Sequence, residues 1–547
     1  MGRGERTVRR WEELEGLPVH RLAHEKRGSV YAYRSELDAW WASRKEQITA
    51  TTDKTPADLQ TVVPIVSAQT ASRWMWIGTI MALLLIIGAL LVARFRREHT
   101  PSVRSIAVLP FDNLSHNPSE EWFSDGITET LITELSKVPS LNVISRTSAM
   151  QYKNARKSLR QIGSELGVDA VVEGSALRVR DRVRITAQLI AVATDSHLWG
   201  RDFDGDFQDV LLLQRKVTQA IAREVGLTLS ARQPNRRSEN PAAMAAYLKG
   251  LYQYNRGDLK SAIGLAREAI QADSELAPAY ELLGMALHTT ADFHHASYAA
   301  VAPEARAALR RALELQPDRG STLSYLGWSY LVVEHDWVQA EENLRRGFET
   351  DPGTGNNYAF LLAAQGKYDD AIHVVDQALQ RDPANAFVLT DTGRIYHFAR
   401  RYDEAIRSFR KALELSPSDS YPRLYLPLSL LLAGRKDEAF EAWLQWRLPL
   451  PVRSGDEKEF RDLYHDGGWN AIWLATLDQM PKTPWLHWRQ WAAIFLHRTQ
   501  DALDEAEQME HTAEAAQLED PIFDSIRKEP RFQAMLKRVG YPQSMRQ

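Results

Sequence analysis

Between Arg73 and Arg94 the chain runs from Trp74 to Ala93 without a charged side chain. A helix over that stretch rises about 30 Å, the hydrocarbon thickness of a bilayer. The pattern predicts one transmembrane helix over 74–93, with Trp74 and Trp76 at one interface and Arg94, Arg96 and Arg97 closing the other. No Ala-x-Ala-like site follows before Arg94, so the segment reads as an anchor and not as a cleaved leader.

Ahead of the anchor the pattern is that of a small head, residues 1–48, on a tether, residues 49–73. In TVRRWEELE, residues 7–15, Val8, Trp11 and Leu14 form one helical stripe, which Gly16 and Pro18 end. SVYAY alternates as a short strand does, and Ser35 is placed to cap a helix carrying Leu37, Trp40 and Trp41. The tether is rich in Thr, Ser, Ala and Pro and shows neither period.

Behind the anchor, residues 103–230 switch between the two periods. Ser105 to Phe111 and Leu141 to Ile144 predict strands; Asp125 to Leu135, with Ile127, Leu131 and Leu135 on one stripe, and Leu159 to Leu166 predict helices. Three alternating strands follow, Ala170 to Arg178, Arg182 to Ala191 and His197 to Phe203, and a long helix, Phe207 to Leu229, closes the unit. A βαβ unit followed by a meander and a helix predicts a mixed sheet with helices packed on it.

From 240 to 447 the signal is self-similarity. Ala371, Ala405 and Ala439 recur at an interval of 34, as do Pro383 and Pro417 and, upstream, Gly250 and Gly284. Within one unit Gly393, Tyr396, Ala405, Phe409, Ala412 and Pro417 follow the tetratricopeptide pattern, in which small residues let two antiparallel helices approach. About six helix pairs are expected. Two copies depart from period. Between Gly284 and Ala305 about nine extra residues, among them His288, His294 and His295, are expected to lengthen the inter-helix turn, and the Trp337 copy carries one extra residue. Residues 455–547, crowded with Trp469, Trp473, Trp485, Trp488 and Trp491, are expected to continue the stack and cap its end.

Stacked pairs form a superhelix whose concave wall is lined by the first helices, a surface suited to a peptide or protein. By repeat position that wall is expected to present Tyr247, Leu251, Tyr254, Glu281, Met285, His288, Trp328, Asn356, Phe360, Arg394 and His397. Aromatic rings with a few polar groups suit protein recognition.

Composition narrows the chemistry. The 547 residues carry 67 Lys and Arg against 71 Asp and Glu, a net charge of −4, so any DNA contact must come from a local patch. With no cysteine, disulfides, thiolate metal sites and cysteine nucleophiles are excluded. No phosphate loop, GxGxxG turn, HExxH helix or GxSxG elbow occurs. Asp202, Asp204 and Asp206 alternate like the start of a calcium loop, but Phe207 and Leu213 stand where Gly and Glu are needed. His197 has no second ligand at a useful spacing, and no carboxylate or cysteine frames the three loop histidines. The expectation is a chain that is not an enzyme and takes neither cofactor nor metal.

Several stretches resemble known families. RTVRRWE, GLPVHR and VYAYRSELDAWW resemble the MerR-like or excisionase-type winged helix-turn-helix module. The resemblance implies a recognition helix at 7–15 that brings Arg6, Arg9 and Arg10 to phosphates or base edges, with Arg21, Lys26 and Arg27 of the wing on the DNA backbone. That family has a further helix ahead of the recognition helix, and only MGRGE precedes Arg6, so either the start of the chain is assigned too late or this copy has lost its first helix. IAVLPFDNLS, FSDGITETLITELS, ELGVDAVVEGS and LWGRDFDGDFQDVLLLQ resemble the TolB-amino-terminal-like domain, which implies a non-catalytic module for interaction or sensing. DPIFDSIRKEPRFQAMLKRVGYP resembles the terminal segment of many bacterial tetratricopeptide regulators.

The expected fold is therefore multidomain: a small winged helix-turn-helix, one transmembrane helix, an α/β mixed-sheet domain and an all-α tetratricopeptide solenoid. The layout is similar to membrane-embedded transcription regulators of the ToxR type. It implies a single-pass protein of the bacterial inner membrane that binds a protein or peptide on its solenoid and duplex DNA through its head. A membrane-tethered scaffold without DNA binding is the other reading. Arg73 alone precedes the anchor while Arg94, Arg96, Arg97 and Arg104 follow it, which by the positive-inside rule puts the large portion in the cytoplasm. A DNA reader needs the opposite, and long domains translocate largely regardless of flanking charge. The arrangement expected is amino end cytoplasmic and large carboxyl part periplasmic.

Overall fold

The computed structural model describes residues 18–22, 29–33, 35–40, 42, 103–115, 117–136, 138, 140–226, 240–292, 297–448, 456–479, 488–511 and 517–543. The chain divides into two units, Met1–Arg97 and Glu98–Gln547.

In the first unit, β1 (His20–Leu22) and β2 (Ser29–Tyr31) form an antiparallel hairpin with His20 opposite Tyr31. Residues 35–40 are helical, and His20 ties the hairpin to them through Nε2 to Glu36 Oε2 at 2.8 Å and an edge contact with the Tyr33 ring at 5.4 Å. The recognition helix with Arg6, Arg9 and Arg10, together with Lys26, Arg27, the Arg21 side chain, the tether and the anchor Trp74 to Ala93, lies outside the described residues. Among the described residues no helix is long and apolar enough to cross a membrane.

The second unit opens with a six-stranded sheet in the order β5, β3, β6, β7, β8, with β4 also pairing β6. β3 (Ser105–Val108) is its apolar centre, parallel to β5 (Asn142–Val143) on one side and to β6 (Ala170–Val179) on the other. β4 is Asp112–Asn113. β6, β7 (Arg182–Ala191) and β8 (Ser196–Asp206) are a long antiparallel meander, because Arg180 takes a left-handed turn (φ 54) between the first two. Helix α1 (Glu121–Leu135) buries Ile127, Leu131 and Leu135 in the sheet's core, and α4 (Val210–Glu224) packs on β8. A short α2 (Arg146–Met150), not foreseen from the pattern, and α3 (Leu159–Leu166) complete the module.

The suspected calcium triad proves to be a ladder of cross-strand pairs. Arg184 meets Asp204 at 2.7 Å, Arg182 meets Asp206 at 3.0 Å, and the Thr186 hydroxyl donates to Asp202 at 2.7 Å, so β7 already satisfies these carboxylates. Among the described residues no group of three His, Asp or Glu side chains is arranged to hold a metal.

Six helix pairs follow: α5 (Pro241–Asn255) with α6 (Leu259–Ala272), α7 (Ala277–Asp292) with α8 (Tyr298–Leu315), α9 (Gly320–Ser329) with α10 (Trp337–Thr350), α11 (Asn356–Ala364) with α12 (Tyr368–Arg381), α13 (Ala386–Phe398) with α14 (Tyr402–Leu415), and α15 (Ser420–Leu432) with α16 (Lys436–Arg447). Close approach within a pair is what the repeated small residues supply. A Cβ on Gly393 would stand 2.5 Å from the Phe409 ring. Gly393→Ala is thus expected to lower stability by about 1–3 kcal/mol in urea unfolding. Gly264→Ala, which meets nothing within 4 Å, should instead match or slightly exceed the parent.

In the second pair the helices run to 16 and 18 residues, and His288 falls on α7 rather than in the turn, while His294 and His295 lie outside the described residues. In the third pair the single extra residue becomes a π turn, Tyr330–Glu334, because a helix absorbs one inserted residue by widening one turn.

Beyond the pairs lie α17 (Glu457–Gln479), broken at Gly468 (φ 59, ψ −149), α18 (Trp488–Phe495), α19 (Thr499–Glu507) and α20 (Pro530–Arg538). Trp443, Trp473, Trp488 and Trp491 are all fully buried there, with the Trp488 ring 5.3 Å from that of Trp473 and 5.0 Å from that of Trp491. The last segment, residues 517–541, does more than cap the stack. It returns along the middle repeats, where the Trp337 indole donates to the Val539 carbonyl at 2.9 Å and Arg400 pairs with Asp524 at 2.5 Å.

Candidate functional site

Most of the predicted concave wall is filled by the repeats themselves. Leu251, Glu281, His288, Trp328, Asn356, Phe360, Arg394 and His397 are buried, which corrects their placement on an open face; Tyr247, Tyr254 and Met285 are half-buried. The reason is side-chain reach: residues one repeat apart meet across adjoining first helices.

Glu281 illustrates this, since Arg319, Ser321 and Thr322 of the next repeat all donate to its carboxylate, Thr322 at 2.9 Å. Trp328, Phe360 and Phe398 follow one another at 6.2 Å between centroids. Asn356 donates to Asp391 at 2.9 Å, and Arg394 lies beside Asp391 with its guanidinium over the rings of Phe360 (4.4 Å) and Tyr421 (4.8 Å). Burial pushes the Asp391 carboxyl up to about 6 against the pull of Arg394. His397 meets the Ser429 hydroxyl at 2.8 Å and Asp520 of the returning segment at 3.3 Å. The hydroxyl of Tyr254 meets those of Thr289 at 3.1 Å and Tyr325 at 3.3 Å. Burial raises Tyr247 to about 12.

Two residues outside the predicted wall are open instead. Phe387 and Tyr421, on the first turns of α13 and α15, are 62% and 37% exposed. Their spacing of 34 was the signal that could have found them: it puts them at the same position of adjacent repeats.

Beside them the α/β module is sewn to the solenoid. The segment 381–385, from the end of α12 to the start of α13, meets β5, α2 and the residues that flank α2 through four hydrogen bonds. Ser148 donates to Asp382 Oδ1 at 2.7 Å, Asn385 to Ser145 at 3.1 Å, Gln151 to the Ala384 carbonyl at 3.2 Å and Asn142 to the Arg381 carbonyl at 2.9 Å. Ala384 packs in one apolar cluster with Ile144, Ile162, Leu166, Val171 and Ile190 of the module. A second contact joins α1 to α5, where a Cβ on Gly126 would touch Leu248 at 3.0 Å. The module therefore bridges the first pair and the junction of the fourth and fifth.

Asp382→Ala leaves the buried Ser148 hydroxyl without its acceptor and takes from the Asn385 amide one of its two, Ser145 remaining. A loss of about 2–3 kcal/mol is expected, together with faster amide exchange over residues 145–151. Unchanged exchange there would remove the seam from the account.

The comparisons with known proteins divide the chain along the same line. The HilA/YgeH-like transcriptional regulator second domain matches residues 102–220. The tetratricopeptide repeat family matches residues 228–277, 361–420 and 390–445. The family found for the module is thus the HilA/YgeH-like one and not the TolB-amino-terminal-like one. Putative adenylate cyclase 3 of Rhizobium meliloti (strain 1021) is 36% identical over 192 residues, 34% of this chain and 33% of that protein. The chain spans about a third of the length of that curated relative. This relative overturns the expectation that the chain is not an enzyme. Among solved structures, a thermophilic tetratricopeptide protein of Thermus thermophilus is 19% identical, covering 35% of this chain and 100% of its own, with a TM-score of 0.31. PilW, a type IV pilus biogenesis factor, is 17% identical over 40% of this chain and 98% of its own, with a TM-score of 0.32. The chain is multidomain, with tetratricopeptide repeats for protein interaction and a HilA/YgeH-like transcriptional regulator domain.

Proposed function

We propose that this chain is a membrane-anchored regulator in which a protein or peptide, received across Phe387 and Tyr421, acts on the HilA/YgeH-like module through the Asp382 seam. The observation that carries this reading is the adjacency of the two: Phe387 is five residues beyond Asp382, and the module's own hydrogen bonds end at Asn385. A ligand that shifts the start of α13 must shift the seam with it. A photocrosslinker at position 387 should capture a partner that one at Val338, 75% exposed on α10, does not. Equal capture at both positions would sink the docking site.

In the same reading Trp74 to Ala93 crosses the inner membrane, the head with Arg6, Arg9, Arg10, Arg21, Lys26 and Arg27 meets duplex DNA in the cytoplasm, and the solenoid is periplasmic. DNA affinity should then fall steeply as salt rises. Reporters fused after Gln547 test the topology: activity of a periplasmic reporter alone supports it, and activity of a cytoplasmic one alone places the head away from DNA.

The cyclase relative favours a second reading, in which the chain forms cyclic AMP. Incubation of the full chain with ATP and magnesium tests it directly. Cyclic AMP above the heat-treated sample supports catalysis, and none at all removes it for this chain alone.

A further inference from the structure

Three helices of the second and third pairs, α7, α8 and α9, pack on one another and carry buried polar atoms that lack partners among the described residues. His288, on α7, is fully buried, and neither ring nitrogen has a hydrogen-bond partner. Arg306, on α8, pairs through Nη2 with Glu334 Oε1 at 2.7 Å, while Nη1 is buried and unmatched. Ser329, on α9, is fully buried with an unmatched hydroxyl, one helical turn from Tyr325 on the same face. The rings of Tyr298 and Tyr325 stand 5.9 and 6.1 Å from that of His288. Folded interiors rarely leave such atoms alone. The π turn Tyr330–Glu334 is an independent mark of the same place, since it carries Glu334 to Arg306 and such turns concentrate at functional sites.

We propose that these three packed helices bind a small oxyanion, of carboxylate or phosphate type, held by Arg306 Nη1, the Ser329 hydroxyl and one N–H of His288. The donors match the chemistry: a guanidinium, a hydroxyl and an imidazole all offer hydrogens to an anion's oxygens. The charges also match. Arg306 and Glu334 already neutralise one another, and among the described residues the rings of Tyr298 and Tyr325 pack on that of His288. Burial, with Arg306 second, holds His288 down at about 4, so the ring is neutral when the site stands alone. An entering anion therefore brings the unbalanced charge, and protonation of His288 balances it. Binding takes up a proton, and affinity rises as pH falls.

The probes are sulfate, whose charge does not change near neutrality, and acetate, each titrated calorimetrically into the full chain in detergent at pH 6 and pH 8. One saturable site per chain is expected, tighter at pH 6 by about tenfold per pH unit. Sulfate uptake assigns a free phosphate-type ion, and acetate uptake without sulfate assigns a carboxylate; both support the site. His288→Gln keeps the polar shape and should bind with affinity that no longer depends on pH, while Arg306→Gln should bind at least tenfold more weakly. No saturable uptake of either probe, or the same pH dependence in His288→Gln, overturns the proposal.

Discussion

Glu519→Gln is expected to stabilise the returning C-terminal segment at pH 8 and to change nothing near pH 4. Glu519 is 1% exposed, accepts from the Tyr541 hydroxyl at 2.8 Å through Oε2, and leaves Oε1 unmatched. Burial raises its carboxyl from 4.5 to about 8; Asp520 adds to the rise, and the Tyr541 hydroxyl and Arg527 oppose it. The folded chain thus holds this proton more tightly than the unfolded one. The corresponding stability is complete below pH about 4.5 and is lost as the pH climbs through about 8. At about 1.4 kcal/mol per unit, the window from 4.5 to about 8 is worth about 5 kcal/mol. Glutamine keeps an acceptor for Tyr541 and has no proton to lose, so its unfolding midpoint should stay level over the range in which the parent's falls. Parallel pH profiles would show that Glu519 is ionised at no cost, and the packing described for it would then be wrong.

Trp488→Ala should be the most damaging single truncation in the closing helices. The ring is fully buried, with Trp446 at 5.2 Å, Trp473 at 5.3 Å, Trp491 at 5.0 Å and Trp443 at 6.4 Å between centroids. Alanine removes the contacts and leaves a cavity that four rigid rings cannot fill, at a cost of about 3–5 kcal/mol. Chemical denaturation followed through tryptophan fluorescence reads it. Leu474→Ala, 57% exposed one residue from Trp473, is the surface comparison and should cost less than about 0.5 kcal/mol. Equal effects would mean that the tryptophans do not form this core.

The module's strands were legible because their period is short and local. Arg182 to Ala191 was read with both ends in place, and Leu159 to Leu166 likewise. α2 was missed because five residues, Arg146–Met150, are too few to show a helical stripe. The partner surface was least legible. Repeat position said that Glu281, Asn356, Arg394 and His397 lie on first helices, and they do. It could not say that the next repeat, or Asp520 from far along the chain, would cover them. Phe387 and Tyr421 stay open although they too lie on first helices.

The interval of 34, the strand alternation and the charge-free run from Trp74 to Ala93 are properties of the sequence alone, because each is counted along the chain without knowing which segments meet. What an irregularity becomes is decided elsewhere. The sequence carried one surplus residue between Gly327 and Ala340, and only packing of Leu344 and Ala340 against the first helix made it a π turn rather than a loop, since a loop would unseat both. The seam at Asp382 and the return of residues 517–541 belong to tertiary structure for the same reason. Their partners lie more than a hundred residues away in the chain, where no local period can reach.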